Sequence, residues 1–138
     1  MRKAIGLFFL TRHACRGMST LTSRKGVTLL GQEAAIALDV DLMESPGFSI
    51  DQLMELAGLS VACAVRDAYP AADGILIVAG PGNNGGDGLV AARHLWHFGA
   101  RNVRVVYPKR PDRPLFRNLV KQCEDLRIPV EDAMPDTA

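Results

Sequence analysis

Nine consecutive residues, Gly80-Pro81-Gly82-Asn83-Asn84-Gly85-Gly86-Asp87-Gly88, combine glycines with two amides and one carboxylate. Glycines allow the chain to turn sharply and let backbone N–H groups approach a ligand closely. If a helix follows, its first turn adds free N–H donors and the positive end of a dipole, an environment that favours anions and polar oxygens. Gly80-Pro81-Gly82-Asn83-Asn84-Gly85 also has the G-x-G-x-x-G spacing of dinucleotide-binding turns, and no Gly-Lys-Ser/Thr follows to make it a Walker A loop. Asn83, Asn84 and Asp87 are more polar groups than a phosphate cradle needs. Amide carbonyls and a carboxylate can coordinate a cation or hold hydroxyl groups. The plainer reading is a tight turn whose Asn and Asp side chains cap the helix, with Asp87 as the N-cap.

The flanking residues supply the strand and helix that such a turn requires. Gly74-Ile75-Leu76-Ile77-Val78-Ala79-Gly80 is a continuous aliphatic run bounded by glycines, the pattern of a strand buried on both faces. A helix is expected from Asp87 to Phe98, closed by Gly99 at C′. Val103 to Tyr107 reads as a second strand. A dinucleotide fold places Asp or Glu at the tip of that strand to hold ribose hydroxyls. This chain has Tyr107-Pro108-Lys109-Arg110 there, and such basic residues could meet a 2′-phosphate or mark a different use of the fold. Pro114 opens a further helix with Leu115, Leu119, Val120, Cys123 and Leu126 inward, and Ile128-Pro129-Val130 begins a third strand. Ahead of the first strand, a short helix is expected from Gly31 to Met43, broken by Ser45-Pro46-Gly47. A second helix then opens at Ser49, which stands in capping-box relation to Gln52. Its apolar stripe is expected to be Ile50, Leu53, Met54, Ala57, Val61, Ala64, Val65 and Ala68, with Gly58 and Ser60 allowing another element to approach closely. Strands alternating with helices over short connections predict an α/β fold: a Rossmann-like three-layer parallel sheet with helices on both faces.

The charge distribution is uneven. Net charge is +1, but six of the 16 Lys and Arg residues precede Gly31, and the first acidic residue is Glu33. A mildly acidic globular part behind a basic leader is not the pattern of a nucleic-acid binder. Residues 1–30 are basic, rich in hydroxyls and free of acid, the composition of a mitochondrial transit peptide. A secretory signal and a plain disordered tail are the alternatives, with secreted or cytoplasmic location following from them. The apolar run Ile5 to Leu10 is too short to span a membrane. Cys15, Cys63 and Cys123 form no C-x-x-C pair, so no zinc site is expected. Cys63 and Cys123, at apolar positions of expected helices, read as buried reduced thiols acting as small hydrophobes.

The run from Gly80 to Leu95 resembles the signature loop and helix of the NAD(P)H-hydrate epimerase family. Gln52 to Ser60 resembles that family's N-terminal helix, and Tyr107 to Pro111 with Pro114-Leu115-Phe116 resembles the segment after its second strand. This resemblance implies an isomerase of metabolite repair that interconverts the R and S epimers of hydrated NADH or NADPH. It further implies a Rossmann-like domain, a homodimer when full length, one potassium ion per subunit and, in similar animal proteins, an apolipoprotein partner. Carried over by position, Asn83, Asn84, Gly85, Gly86 and Asp87 contact the substrate, Asn84 is the potassium ligand, and Lys109 is a catalytic lysine that partial desolvation would equip for proton transfer. His94 and His97 read as ordinary helix-surface residues. In the family, an aspartate on a later strand supplies potassium coordination and the main acid–base function. The present sequence ends at Asp136-Thr137-Ala138, ahead of that segment. Residues 31–138 are accordingly expected to be the N-terminal part of such a domain, incomplete at its C-terminus. The alternative reading is a catalytically inactive short form that binds nucleotide or protein.

Overall fold

The computed structural model describes residues 30–72 and 74–134. All of the expected leader except Leu30 lies outside them. Seven elements follow in order: α1 (Gln32–Glu44), α2 (Ile50–Ala68), β1 (Gly74–Val78), α3 (Asn83–His97), β2 (Asn102–Val106), α4 (Pro114–Asp125) and β3 (Val130–Glu131). The strands form one parallel sheet in the order β1-β2-β3. Gly74 pairs with Asn102 and Val78 with Val106, while Val105 and Val106 pair with Val130 and Glu131. Pro129 restricts β3 to two residues, yet its carbonyl still accepts a 2.9 Å bond from the Val105 amide. The fold is α/β and Rossmann-like in connectivity, in an incomplete form.

Successive right-handed crossovers in one direction put α3 and α4 over the same face of the sheet, and the two helices pack on each other there. Beneath them, Val103, Val105 and Tyr107 of the β2 segment join Leu89, Val90, Phe116, Leu119 and Cys123 in the core, with Ile75 and Ile77 packed against it. Strand side chains alternate between faces. Leu76 and Val78 therefore point to the other face, where they are 42% and 63% exposed. This corrects the expectation that β1 is buried on both sides: an aliphatic run records the capacity for burial, and on that face burial is reached at Val106 of β2 but not at Leu76 or Val78. Arg104 and Glu131 lie on it as an ion pair at 2.7 Å.

Helix α2 carries the predicted cap. The Gln52 amide donates to Ser49 Oγ at 3.3 Å, and the Ser49 amide donates to Gln52 Oε1 at 2.8 Å. An N-cap of this kind is worth about 1 kcal/mol. The buried face follows the predicted stripe only in part, at Met54 and at the partly buried Ile50, Leu53 and Val65. Met54, Gly58, Ala62 and Cys63 are buried, whereas Ala57, Val61, Ala64 and Ala68 are exposed. A Cβ on Gly58 would meet the Val90 side chain and lie 2.7 Å from the Asp87 carbonyl oxygen. Close approach of α2 to α3 thus decides which face turns inward. Helix α1 has no buried residue. At the far end of α3, Gly99 has φ +103°, as a C′ glycine requires.

Candidate functional site

Beyond β1 the chain reverses and enters α3 at Asn83. Gly82 is the N-cap, in extended conformation and without a side-chain cap bond. The amides of Gly85 and Gly86 donate to the Gly82 carbonyl at 2.9 and 3.3 Å. Those of Asn83 and Asn84 come before them, at the open and positive end of the helix. The helix was expected to begin at Asp87. It begins a turn earlier, so Asn83, Asn84, Gly85 and Gly86 are its first turn rather than a loop, and Asp87 is not the N-cap. Glycine disfavours a helix intrinsically, but packing overrides that preference here. A Cβ on Gly85 would run into the Gly80 carbonyl, and one on Gly86 would meet the Met54 thioether and lie 3.3 Å from Phe116. Both glycines are buried, while Asn83 and Asn84 are exposed.

Asp87 is half-buried at the start of the next turn. Burial pushes its carboxyl above the usual carboxylate range, and the negative charge of Asp39 on α1 adds to the effect. Asn83 and Asp87 form one end of an open-sided recess of about 150 Å³, whose remaining lining comes from Asp39 and Met43 of α1 and from Ile50, Leu53, Met54 and Ala57 of α2. Asp39 was not singled out in the sequence, where it reads as an outward-facing acid of a short helix.

The tip of β2 lies at the same edge of the sheet, because the strands are parallel and in register. Lys109 follows it, exposed, so the desolvation expected to prepare it for proton transfer is not found. Arg110 does not reach outward for a phosphate. It donates to the Val130 carbonyl at 2.9 Å and pairs with Asp132 at 2.7 Å, tying the end of β2 to β3. Tyr107 is fully buried, and burial pushes its phenol upward. The Tyr107 hydroxyl has no hydrogen-bond partner among the described residues.

His94 and His97 differ. His94 Nε2 stands 2.7 Å from Glu55 Oε1, and the same carboxylate accepts from Arg93 at 2.5 Å. This cluster ties α2 to α3 behind the first turn. The sequence offered one clue to it, charged residues near the apolar seam of each helix, but not their pairing. His97 is exposed and meets Trp96 edge to face. Cys123 is a free, buried thiol, raised to about 11 mainly by burial. Cys63 is equally buried, as its apolar helix position predicts.

Potassium can be weighed only against the donors at hand. Among the described residues, no group of three or more His, Cys, Asp or Glu side chains could hold a metal ion. Asn84 offers a neutral oxygen of suitable chemistry, one donor where a hard cation such as calcium takes about 6–8, and it does so at the positive end of a helix. No helix among the described residues is long and apolar enough to cross a membrane.

Residues 50–138 match the family model described as YjeF-related protein N-terminus. Three curated relatives are named NAD(P)H-hydrate epimerase. The one from Neurospora crassa is 59% identical over 105 residues, covering 75% of this chain and 44% of the relative. Those from Fusarium vanettenii and Schizosaccharomyces pombe are each 56% identical, covering 77% and 75% of this chain and 45% and 43% of their own lengths. The crystal structure of a yeast protein, ynu0, superposes with a TM-score of 0.70 at 42% identity, over 76% of this chain and 47% of that one. The chain thus spans less than half the length of these relatives. Its matched segment contains both the first turn of α3 and the tip of β2, and the chain belongs to the family of YjeF-related protein N-termini.

Proposed function

We propose that this chain carries the glycine-turn portion of an NAD(P)H-hydrate epimerase site and binds hydrated NADH or NADPH through the first turn of α3. One observation carries the reading: Asn83 and Asn84 stand exposed at the open end of α3, with the half-buried Asp87 behind them at the carboxyl edge of a parallel sheet. Ligands of open α/β sheets bind at that edge. The name borne by the relatives, NAD(P)H-hydrate epimerase, supplies the substrate class.

The hydrated ring carries a hydroxyl on a carbon beside the ring nitrogen. Inverting that centre through an iminium requires the C–O bond to break as the nitrogen lone pair forms the C=N bond and the departing oxygen takes a proton. Water then adds to the opposite face and releases a proton. Both directions need a positioned donor and acceptor. Asp87, whose carboxyl holds its proton more tightly than a free aspartate does, can exchange a proton with a substrate hydroxyl. The exposed amides at the helix end suit the diphosphate, and the side chains of Asn83 and Asn84 suit hydroxyls or the carboxamide. Lys109 is a proton-transfer group only if a bound substrate desolvates it. Potassium, a homodimer, an apolipoprotein partner and mitochondrial location are further parts of this reading. They rest on the family resemblance and the composition of residues 1–30.

The test is titration of the 138-residue chain with NADHX by calorimetry, alongside an assay of R-to-S conversion with and without potassium. Binding is expected, weakened at least tenfold by Asp87→Ala, with little or no turnover because the family's main acid–base aspartate belongs to a later strand. Failure of NADHX to bind at millimolar concentration would sink the reading.

A further inference from the structure

Building on the epimerase reading, we infer that the recess between α1, α2 and the first turn of α3 is the subsite for the hydrated nicotinamide ring, and that Asp39 of α1 is a positioning residue in it. Helix α1 lies ahead of residues 50–138, the segment that the family model matches, so Asp39 and Met43 fall outside that segment.

Size comes first. A space of about 150 Å³ with apolar walls accommodates one six-membered ring. It is too small for a dinucleotide, or for adenine together with its ribose. The occupant is a single ring whose substituents leave through the open side.

Wall chemistry narrows the choice further. Met43, Ile50, Leu53, Met54 and Ala57 supply apolar surface. Two of them are methionines, whose unbranched thioethers adapt to a flat partner. Met54 is buried and backs onto Gly86, which fixes the inner wall against the first turn of α3. The polar end consists of Asn83, Asp87 and Asp39, and Asp39 and Asp87 are close enough for their charges to interact. Two carboxylates exclude a phosphate and reward a group rich in hydrogen-bond donors. The hydrated nicotinamide is a neutral ring that bears an NH2 on its carboxamide and an OH at the reacting carbon. Adenine offers only its exocyclic amine as a donor and has no hydroxyl on a ring carbon, so it answers the two carboxylates less fully.

This arrangement divides the substrate. The diphosphate belongs at the open end of α3, where the exposed amides of Asn83 and Asn84 lie, and the ring belongs on the α1 side. Asp39 accepts a hydrogen bond from the ring's donors and, through its negative charge, favours retention of the proton on Asp87. It acts on the reacting centre through Asp87 and through the orientation of the ring.

Calorimetry on the 138-residue chain can test this with two ligands: NADHX, and ADP-ribose, which keeps the nucleotide and lacks the nicotinamide. Ala57→Trp fills the recess, and Asp39→Ala removes the positioning carboxylate; both residues are exposed, so neither change disturbs the core. Ala57→Trp is expected to weaken NADHX at least tenfold and ADP-ribose less than twofold. Asp39→Ala is expected to weaken NADHX several-fold without weakening ADP-ribose, and Asp39→Glu to recover most of the loss. NADHX affinity unchanged in both Ala57→Trp and Asp39→Ala, or an equal loss of both ligands, overturns the subsite while leaving the epimerase reading intact. If NADHX does not bind the unsubstituted chain, both fail together.

Discussion

Two helices wall the recess beside the candidate site, and they are held in opposite ways. Helix α2 is locked to α3: Gly58 admits the Val90 side chain, Met54 is 4% exposed, and Glu55 reaches both Arg93 and His94. Helix α1 has no buried residue, and its Ile36 and Leu38 are 55% and 46% exposed. The inner wall therefore depends on packing for its position, while the outer wall contributes the Asp39 carboxylate and the Met43 thioether and little to stability. Substitutions on the two helices should separate these contributions.

The largest effect is expected at the seam. Gly58→Ala puts a methyl against the Val90 side chain and the Asp87 backbone, neither of which can yield freely. Overpacking of this kind costs about 1–3 kcal/mol, readable as a lowered urea midpoint. NADHX affinity should fall with it, because the displaced backbone is that of Asp87. An unchanged midpoint would mean that α2 and α3 are not locked.

An intermediate effect is expected where the two walls meet. The carboxyl of Asp87 is raised in the folded chain. The folded state therefore binds this proton more tightly than the unfolded state does, and stability falls as pH rises from the unfolded carboxylate value, near 3.9, through the folded one. Above that window the penalty is fully present. Asp87→Asn removes it. Urea midpoints should show the variant more stable than the parent at neutral pH, the difference closing as pH drops below the unfolded value. Asp39→Asn should shift the window down, because it removes one of the two causes. If Asp87→Asn merely destabilises at every pH, the carboxyl is not under this strain.

On the outer wall, Ile36→Ser changes an exposed side chain of a helix with no buried residue. A shift within about 0.5 kcal/mol is expected. A loss comparable with that of Gly58→Ala would erase the contrast between the helices.

The parts of this structure that could be read from the sequence are those governed by short-range chemistry. Ser49 and Gln52 cap α2 as their spacing predicts, Gly99 takes the left-handed conformation at the end of α3, and Pro114 opens α4. The alternation of strands and helices likewise indicated the parallel sheet. The buried face of α2 was legible at Met54 and Gly58 and missed elsewhere, because apolar periodicity favours Ala57, Val61 and Ala64, whereas shape selects Ala62 and Cys63. The start of α3 was missed for a related reason: glycines argue against a helix until the contacts of Gly85 with Gly80 and of Gly86 with Met54 are known. Asn83, Asn84 and Asp87 were legible as a polar constellation. Asp39 was not, since its approach to Asp87 depends on how the chain bends around Pro46 and Gly47 between two helices.

The uncovered flank of β1 has a practical consequence for anyone handling the isolated chain. Among the described residues β1 pairs only with β2, which leaves its outer row of amides and carbonyls without a strand partner there, next to two exposed aliphatic side chains. Strands of separate molecules add to one another along such borders. Light scattering should rise steeply with protein concentration, and a lysine in place of Val78 should suppress that rise.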